Sequence, residues 1–345
     1  MPQSDGLHLG VVGVGRIGLF HARTLLGLDG VEGLTIADAD SARAKQVASD
    51  LGTHAAISPE ALVEAGVDAL VIATSTPAHA PLLALAARAG LPAFCEKPVS
   101  LELEPLDELI EEVERAGTLV QVGFQRRFDA GYRAAHDAVA AGALGNLLVL
   151  RAATHDPEPP PQAYIAESGG IFRDLHIHDF DAIRFVTGLE IVDVYADGAV
   201  RETAWFEQYV DVDTAAAVLR LSGGALAVLT GTRRDPLGYD VRLEVFGTGD
   251  SIAVGLDARS SLRSVEPGAA VSGGYGYANF MERFEPAYRD ELVAFVSTVR
   301  DGGPSPCPLS EARAALIVAL AADRSRAERR PVSIEEVSSA QAVTG

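Results

Sequence analysis

Gly13-Val14-Gly15-Arg16-Ile17-Gly18 follows the apolar run Leu7 to Val14 and leads directly into a helical pattern. At such a strand-to-helix turn the three glycines have separate duties. Gly13 permits the tight turn, Gly15 lets the backbone approach a pyrophosphate, and Gly18 allows the helix to pack closely on the strand. Phosphate charge then meets the free N–H groups of the helix start, beside Arg16 and Ile17. Six residues alone are a weak pattern, but here a strand precedes them, a helix follows, and Asp38 closes the next strand twenty residues beyond Gly18. A carboxylate at that place accepts both ribose hydroxyls and repels a 2′-phosphate, so Asp38 points to NAD in preference to NADP. Arg43, one turn further on, softens that discrimination. The competing reading is a glycine turn of another α/β fold, with Asp38 a helix cap.

Around this turn, strand-length runs (Leu7 to Val14, Gly33 to Asp38, Asp68 to Ala73, Pro92 to Glu96, Thr118 to Phe124) alternate with helical stretches at Ser41 to Leu51, Ala78 to Ala89 and Pro105 to Ala116. The alternation predicts βαβ units on a parallel sheet. Residues 1–124 are therefore expected to form a Rossmann dinucleotide-binding domain. Beyond Phe124 the pattern changes to a helix at Asp129 to Ala141, a strand at Asn146 to Thr154, a proline-rich loop at Asp156 to Pro161 and a helix at Arg173 to Thr187. Strand-like runs follow, separated by turn signals at Ser222-Gly223-Gly224, Gly238 and Gly247-Thr248-Gly249-Asp250, which predicts an antiparallel sheet. Alternation over Asp213 to Leu221 puts Ala215, Ala217, Leu219 and Leu221 on one face. Helices at Glu285 to Val299 and Ser310 to Ala327 close the chain, and Gly273-Gly274-Tyr275-Gly276 reads as a loop. The fold class is α/β, with a second domain over residues 125–345 of α+β type carrying an open, mainly antiparallel sheet.

The chain has 345 residues, 28 of them Lys or Arg and 48 Asp or Glu, for a formal charge of −20. No basic face is available to displace counterions from nucleic acid, and anionic membrane surfaces are disfavoured for the same reason. Cys95 and Cys307 make no disulfide framework, Met1 to Gly6 is short and polar, and no apolar stretch approaches membrane-spanning length. A cytoplasmic location is expected. The acidic run Glu102 to Glu114 reads as a solvated helix face, and Trp205, Phe206 and Tyr209 as packing at a sheet edge or subunit contact.

Two further groups carry chemistry. Cys95-Glu96-Lys97-Pro98 ends a strand at the carboxyl edge of the parallel sheet, where ligands of such folds bind. Pro98 restricts Lys97 to extended conformations, which makes Lys97 a candidate for proton transfer or charge stabilisation as well as a plain surface charge. Cys95 reads as a small buried strand residue. Farther along, Asp174, His178 and Asp181 fall within about 60° of one another at helical spacing, on a segment otherwise marked by Leu175, Ile177, Phe180 and Ile183. Asp174 beside His178 would orient the imidazole and raise its basicity, as a general base for alcohol oxidation requires. Two rival readings stay open: a metal site drawn from Asp174, His176, His178, Asp179 and Asp181, and a capping aspartate beside a core histidine.

These motifs, with Thr74-Ser75-Thr76-Pro77, His79 and Gly169-Gly170-Ile171-Phe172-Arg173-Asp174, resemble those of the Gfo/Idh/MocA oxidoreductases over essentially the whole chain. Phe94-Cys95-Glu96-Lys97-Pro98, Arg126-Arg127-Phe128-Asp129 and Ile177-His178-Asp179-Phe180-Asp181 are similar to the inositol 2-dehydrogenases of that family. The resemblance implies Lys97, Asp174 and His178 as catalytic residues, with His178 the proton acceptor and no metal. It implies NAD held by Gly13, Gly15, Arg16, Ile17, Gly18, Asp38, Thr74, Ser75, His79, Glu96, Lys97 and Gln125. Lys97, Arg127, His155, Asp174, His178 and Tyr239 would contact substrate, and the closing helices would return toward the first domain. His176 departs from the inositol-type motif, which often has a smaller residue there. The expected reaction is NAD-dependent oxidation of a secondary hydroxyl of a cyclic polyol, an inositol foremost. A pyranose or pseudosugar dehydrogenase and a non-catalytic NAD-sensing regulator are the alternatives. A homodimer or homotetramer is expected through the open sheet face, where positions such as Leu219 and Leu221 are costly to leave in water.

Overall fold

The computed structural model describes residues 6–268 and 276–342. Gly273, Gly274 and Tyr275 of the glycine-rich piece lie outside them, as do residues 1–5. The chain divides into two compact units, Met1–Gln125 with Tyr288–Arg313, and Arg126–Ala287 with Ala314–Gly345.

In the first unit, β1 (Leu7–Val12), β2 (Val31–Ala37), β3 (His54–Ala55), β4 (Ala69–Ile72), β5 (Ala93–Glu96) and β6 (Val120–Gly123) form one sheet in the order β3-β2-β1-β4-β5-β6. Every pairing is parallel. The three strands β4, β5 and β6 are buried at each position, as a sheet covered on both faces demands. The crossovers are α1 (Arg16–Leu26), α2 (Ser41–Leu51), α3 (Pro59–Glu64), α4 (His79–Arg88) and α5 (Leu103–Ala116). Asp40 starts α2 by accepting the Ala42 and Arg43 N–H groups, and Ser58 starts α3 by accepting that of Ala61. On α5, Leu103, Leu106, Leu109 and Val113 point inward, which leaves its acidic run facing water as expected. The two-residue β3 carries no periodic signal and escaped the sequence pattern.

The second unit holds α6 (Ala130–Ala140), α7 (Gln162–Ser168), α8 (Ile171–Asp174) and α9 (Ile177–Thr187) against a seven-stranded sheet. Its strands are β7 (Leu147–His155), β8 (Ile191–Ala199), β9 (Thr214–Leu221), β10 (Leu226–Thr232), β11 (Asp240–Gly247), β12 (Ser251–Val254) and β13 (Val332–Ser333), in the order β12-β11-β7-β10-β9-β8-β13. All neighbours are antiparallel except β7 and β10. Helix α10 (Phe280–Asp301) breaks its geometry at Phe284, two residues before Pro286. Its later half gives Leu292, Phe295 and Val296 to the core of the first unit, with Leu9, Val11, Ile36 and Phe94. Helices α11 (Leu309–Glu328) and α12 (Ile334–Ala342) follow; α12 and β13 were not anticipated.

Two expectations are corrected. Strand β9 alternates as predicted, but Leu219 and Leu221 lie on its covered face, whereas Ala216, Val218 and Arg220 face out. The exposed apolar positions of this sheet are instead Leu148, Val192, Tyr195, Val218, Leu226 and Val228. The helix expected from Arg173 to Thr187 is two helices, with Leu175 after the first and His176 at the start of the second. Asp174 and His178 therefore do not share one helix face.

Candidate active site

At the glycine turn, Gly13 adopts φ +88°, and a Cβ there would come within 2.6 Å of the Ala73 carbonyl oxygen. A Cβ on Gly18 would lie 2.0 Å from the Gly13 carbonyl oxygen, so the helix packs where only glycine fits. Around Gly15 nothing lies within 4 Å of a Cβ, and α1 begins there with no side-chain cap. Open space over uncapped N–H groups is a cradle suited to a pyrophosphate. Asp38 is fixed by two backbone donors, Val14 N–H at 2.8 Å to Oδ2 and Asp40 N–H at 2.8 Å to Oδ1. Arg43 reaches Asp38 only at 3.6 Å and remains half-exposed. These residues fit NAD: a phosphate cradle at the helix start with a carboxylate at the end of the neighbouring strand.

At the end of β5, Ala93 to Glu96 are buried, Pro98 and Val99 are buried, and Lys97 between them is partly exposed. The Lys97-Pro98 bond is cis. His79 is buried, with Nδ1 2.7 Å from the Pro98 carbonyl oxygen and Nε2 3.1 Å from that of Thr74. Both ring nitrogens thus meet the chain itself, and His79 ties the Thr74 loop to the Lys97 loop. Burial lowers its basicity, against those two carbonyls. Glu96 likewise turns inward, to His21 Nε2 at 2.7 Å and to the Lys97 N–H at 3.3 Å. Ser75 is exposed and Thr74 partly so, whereas Gln125 is buried. Cys95 is a buried free thiol whose acidity burial suppresses, which agrees with its reading as a strand residue.

In the second unit the carboxylates named by the sequence each meet a guanidinium. Asp174 accepts Arg233 Nη2 at 2.8 Å and the Tyr164 hydroxyl at 2.6 Å, and Arg233 also holds Asp156 at 3.0 Å. Asp179 pairs with the fully buried Arg126 at 2.5 Å, accepts the Thr154 hydroxyl at 2.8 Å and faces His176 Nδ1 at 2.8 Å. Asp181 takes Arg127 in a forked contact at 2.7 and 3.0 Å. His178 stands apart: it is the one position from Ile177 to Ile183 that is not buried. His155 is partly buried with Nδ1 2.8 Å from Thr232 Oγ1, and burial lowers its basicity against the pull of Asp240. Tyr239 is buried beside Phe280 and Phe284.

The three aspartates of the cluster read as a possible metal site thus each meet a different arginine, with Arg233 shared between Asp174 and Asp156. His176 belongs to the Arg126–Asp179 network, packed against Phe172, and a Cβ on Gly231 of β10 would lie 2.4 Å from its ring. The strand can pass there only as glycine. Arg127, expected at substrate, is committed to Asp181 in this structure. Tyr164, Asp156 and Arg233 were missed by sequence reasoning: Asp156 merely follows His155, Arg233 opens an Arg-Arg pair after a strand, and neither fact names a partner.

A parallel sheet whose first strand ends in a glycine turn that only glycine fits, with a carboxylate held after the next strand, defines a dinucleotide-binding unit. Residues 7–124 match the model of the oxidoreductase family with an NAD-binding Rossmann fold, and residues 132–253 match that of the GFO/IDH/MocA C-terminal domain. The chain belongs to the Gfo/Idh/MocA oxidoreductase family. It is 38% identical over 333 residues to a myo-inositol 2-dehydrogenase of Thermotoga maritima, covering 96% of this chain and 99% of that one. The solved structure of a probable dehydrogenase from Thermotoga maritima superposes with a TM-score of 0.90 at 38% identity, covering 96% of this chain and 100% of that chain. A scyllo-inositol dehydrogenase from Lactobacillus casei, solved with NAD(H) and scyllo-inositol, superposes with a TM-score of 0.87 at 27% identity, covering 96% and 99%.

Proposed function

We propose that the chain oxidises a secondary hydroxyl of a cyclic polyol, an inositol by preference, with NAD as cofactor. The observation that carries this reading is the full-length likeness to inositol dehydrogenases in a chain whose own glycine turn, Lys97 and His178 suit that chemistry. Bound NAD supplies the acceptor for the hydride that leaves the carbinol carbon. His178 takes the hydroxyl proton, so that the C–H and O–H bonds break and a ketone forms. The Lys97 ammonium stabilises the developing alkoxide. Asp174, paired with Arg233, is assigned the support of the imidazolium that His178 becomes.

The test is NADH formation across inositol isomers and aldoses. An inositol should give the highest kcat/KM, and a pyranose that outperforms every inositol overturns the substrate assignment. In the same assay NAD should exceed NADP by tenfold or more, about 1.4 kcal/mol, because Asp38 opposes a 2′-phosphate. Asp38→Ser should narrow that gap; equal use of both cofactors by the unaltered protein contradicts the role given to Asp38.

We further assign a cytoplasmic location and a homodimer or homotetramer. Among the described residues no helix is long and apolar enough to cross a membrane. The outward sheet face, with Val218 44% and Leu148 53% exposed, is the surface a second copy would cover. Light scattering at micromolar concentration should report more than one chain, and Val218→Lys should shift that mass down.

A further inference from the structure

Inside the first unit, three ionisable side chains, one histidine and two glutamates, meet in the core. His21 comes from α1, Glu96 from the end of β5 and Glu291 from α10, and one nitrogen or oxygen of each lies within 4.8 Å of the others. His21 and Glu291 are fully buried and Glu96 nearly so. The rings of Phe20, Phe94 and Tyr288 stand around His21 at 6.0, 5.5 and 5.8 Å, which makes the surroundings poor at solvating charge. Glu96 has partners, His21 on one oxygen and the Lys97 N–H on the other. Glu291 is different: neither of its carboxyl oxygens meets a hydrogen-bond donor among the described residues. Its helix is pinned, since the Glu291 backbone carbonyl accepts Gln121 Nε2 at 2.8 Å.

Two ionised carboxylates so close together in a dry core repel each other, and among the described residues neither oxygen of Glu291 has a hydrogen-bond partner that would offset it. One proton removes the repulsion and makes one acid a donor to the other. Of the two, Glu96 has a hydrogen-bond partner on each carboxyl oxygen and Glu291 has one on neither, so the proton belongs on Glu291. We propose that Glu291 is a positioning residue that carries a proton at neutral pH and donates it to Glu96. Glu96, held by His21 and Glu291 together, then fixes the backbone from which Lys97 projects. The room for the Glu96 carboxyl comes from Gly123 on β6, where a Cβ would lie 3.2 Å from Glu96 Oε2. Burial, and after it the charge of Glu96, push Glu291 well above the usual carboxylate range, in agreement with this assignment. The remaining titratable groups nearby are Cys95 and Lys97 flanking Glu96, His79 across from them, and Tyr288 on the same helix as Glu291. None of these places a partner on the Glu291 carboxyl.

A divalent cation could neutralise the same three groups. The 2.7 Å contact between His21 Nε2 and Glu96 Oε1, however, is a hydrogen-bond length that engages those two atoms with each other.

The effect on turnover rests on the role given to Lys97; the protonation does not. Infrared difference spectra of the full chain against Glu291→Gln should show the carbonyl stretch of a protonated carboxylic acid at neutral pH, present in the unaltered protein and absent in the variant. Glu291→Gln keeps a donor toward Glu96, so its kcat should stay within about twofold, and any alkaline decline in kcat that comes from Glu291 should vanish. Glu291→Leu removes the donor and should lower kcat about tenfold or more, with KM for NAD within about twofold. No acid band in the unaltered protein, or unchanged kcat in a folded Glu291→Leu, overturns the proposal. Stoichiometric divalent metal in the purified protein, with activity lost to a chelator, overturns it too. If Glu291→Leu does not fold, the infrared band decides alone. Normal turnover by Lys97→Ala, by contrast, would remove the function assigned to Lys97 and leave the band untouched.

Discussion

Replacing His178 by alanine should lower kcat by about 10² or more, the scale of a positioned acid–base group, while NAD affinity barely changes. The side chain sits at the first turn of α9, where its neighbours are buried and it alone reaches the accessible surface before Arg184. Lys97→Ala should produce a loss of the same order, because the alkoxide then forms without its nearby cation. Activity should decline as the pH is lowered, since an imidazole that already holds a proton cannot accept another. Steady-state kinetics with a fluorescence titration of NAD separates the two effects. Near-normal turnover by His178→Ala would remove the histidine from the mechanism. A fall in kcat accompanied by an equal fall in NAD affinity would move it to a structural role.

The second large effect is on stability. Asp179→Ala leaves the guanidinium of Arg126 fully buried without its carboxylate, and breaking a buried ion pair from one side costs about 3–5 kcal/mol. Denaturant unfolding should show a loss on that scale. Asp179→Asn, which keeps the contacts to Thr154 and His176 in part, should lose less. The pH dependence has a definite sign. Burial by itself would push Asp179 up, but the charge of Arg126 and the hydrogen bond from His176 outweigh it and hold the carboxyl at about 2. An unfolded aspartate titrates near 3.9, so this contribution is fully present above that value and is lost as the pH falls toward about 2. A stability loss below about 1 kcal/mol in Asp179→Ala would show that the core relaxes around Arg126 or admits water.

The first sheet was legible in the sequence nearly strand by strand. Its signals are local: apolar runs of fixed length, glycines at fixed spacing, and Asp40 or Ser58 placed to cap the helix that follows. The candidate site was legible in part. Lys97 was singled out at the carboxyl end of a strand before Pro98 and His178 in a polar stripe with Asp174 and Asp181, and both are partly exposed. The helical phase assigned to Asp174 and His178 failed because the chain breaks at Leu175 and His176 to follow the Arg126–Asp179 network, a demand that helical periodicity does not register. Leu219 and Leu221 were placed on the right strand face, yet which face would be covered depended on how helices pack on the sheet.

By itself, then, the order of residues determined the glycine turn, the parallel sheet and the carboxylate that follows its second strand. Those follow from spacing along the backbone, which fixes geometry over a few residues. Tertiary structure alone decided which charge meets which: Arg233 with Asp174, Arg126 with Asp179 and Arg127 with Asp181. A charged side chain announces only that it needs a partner or water. Burial by distant parts of the chain removes the water and brings the partner, and no local spacing encodes that encounter.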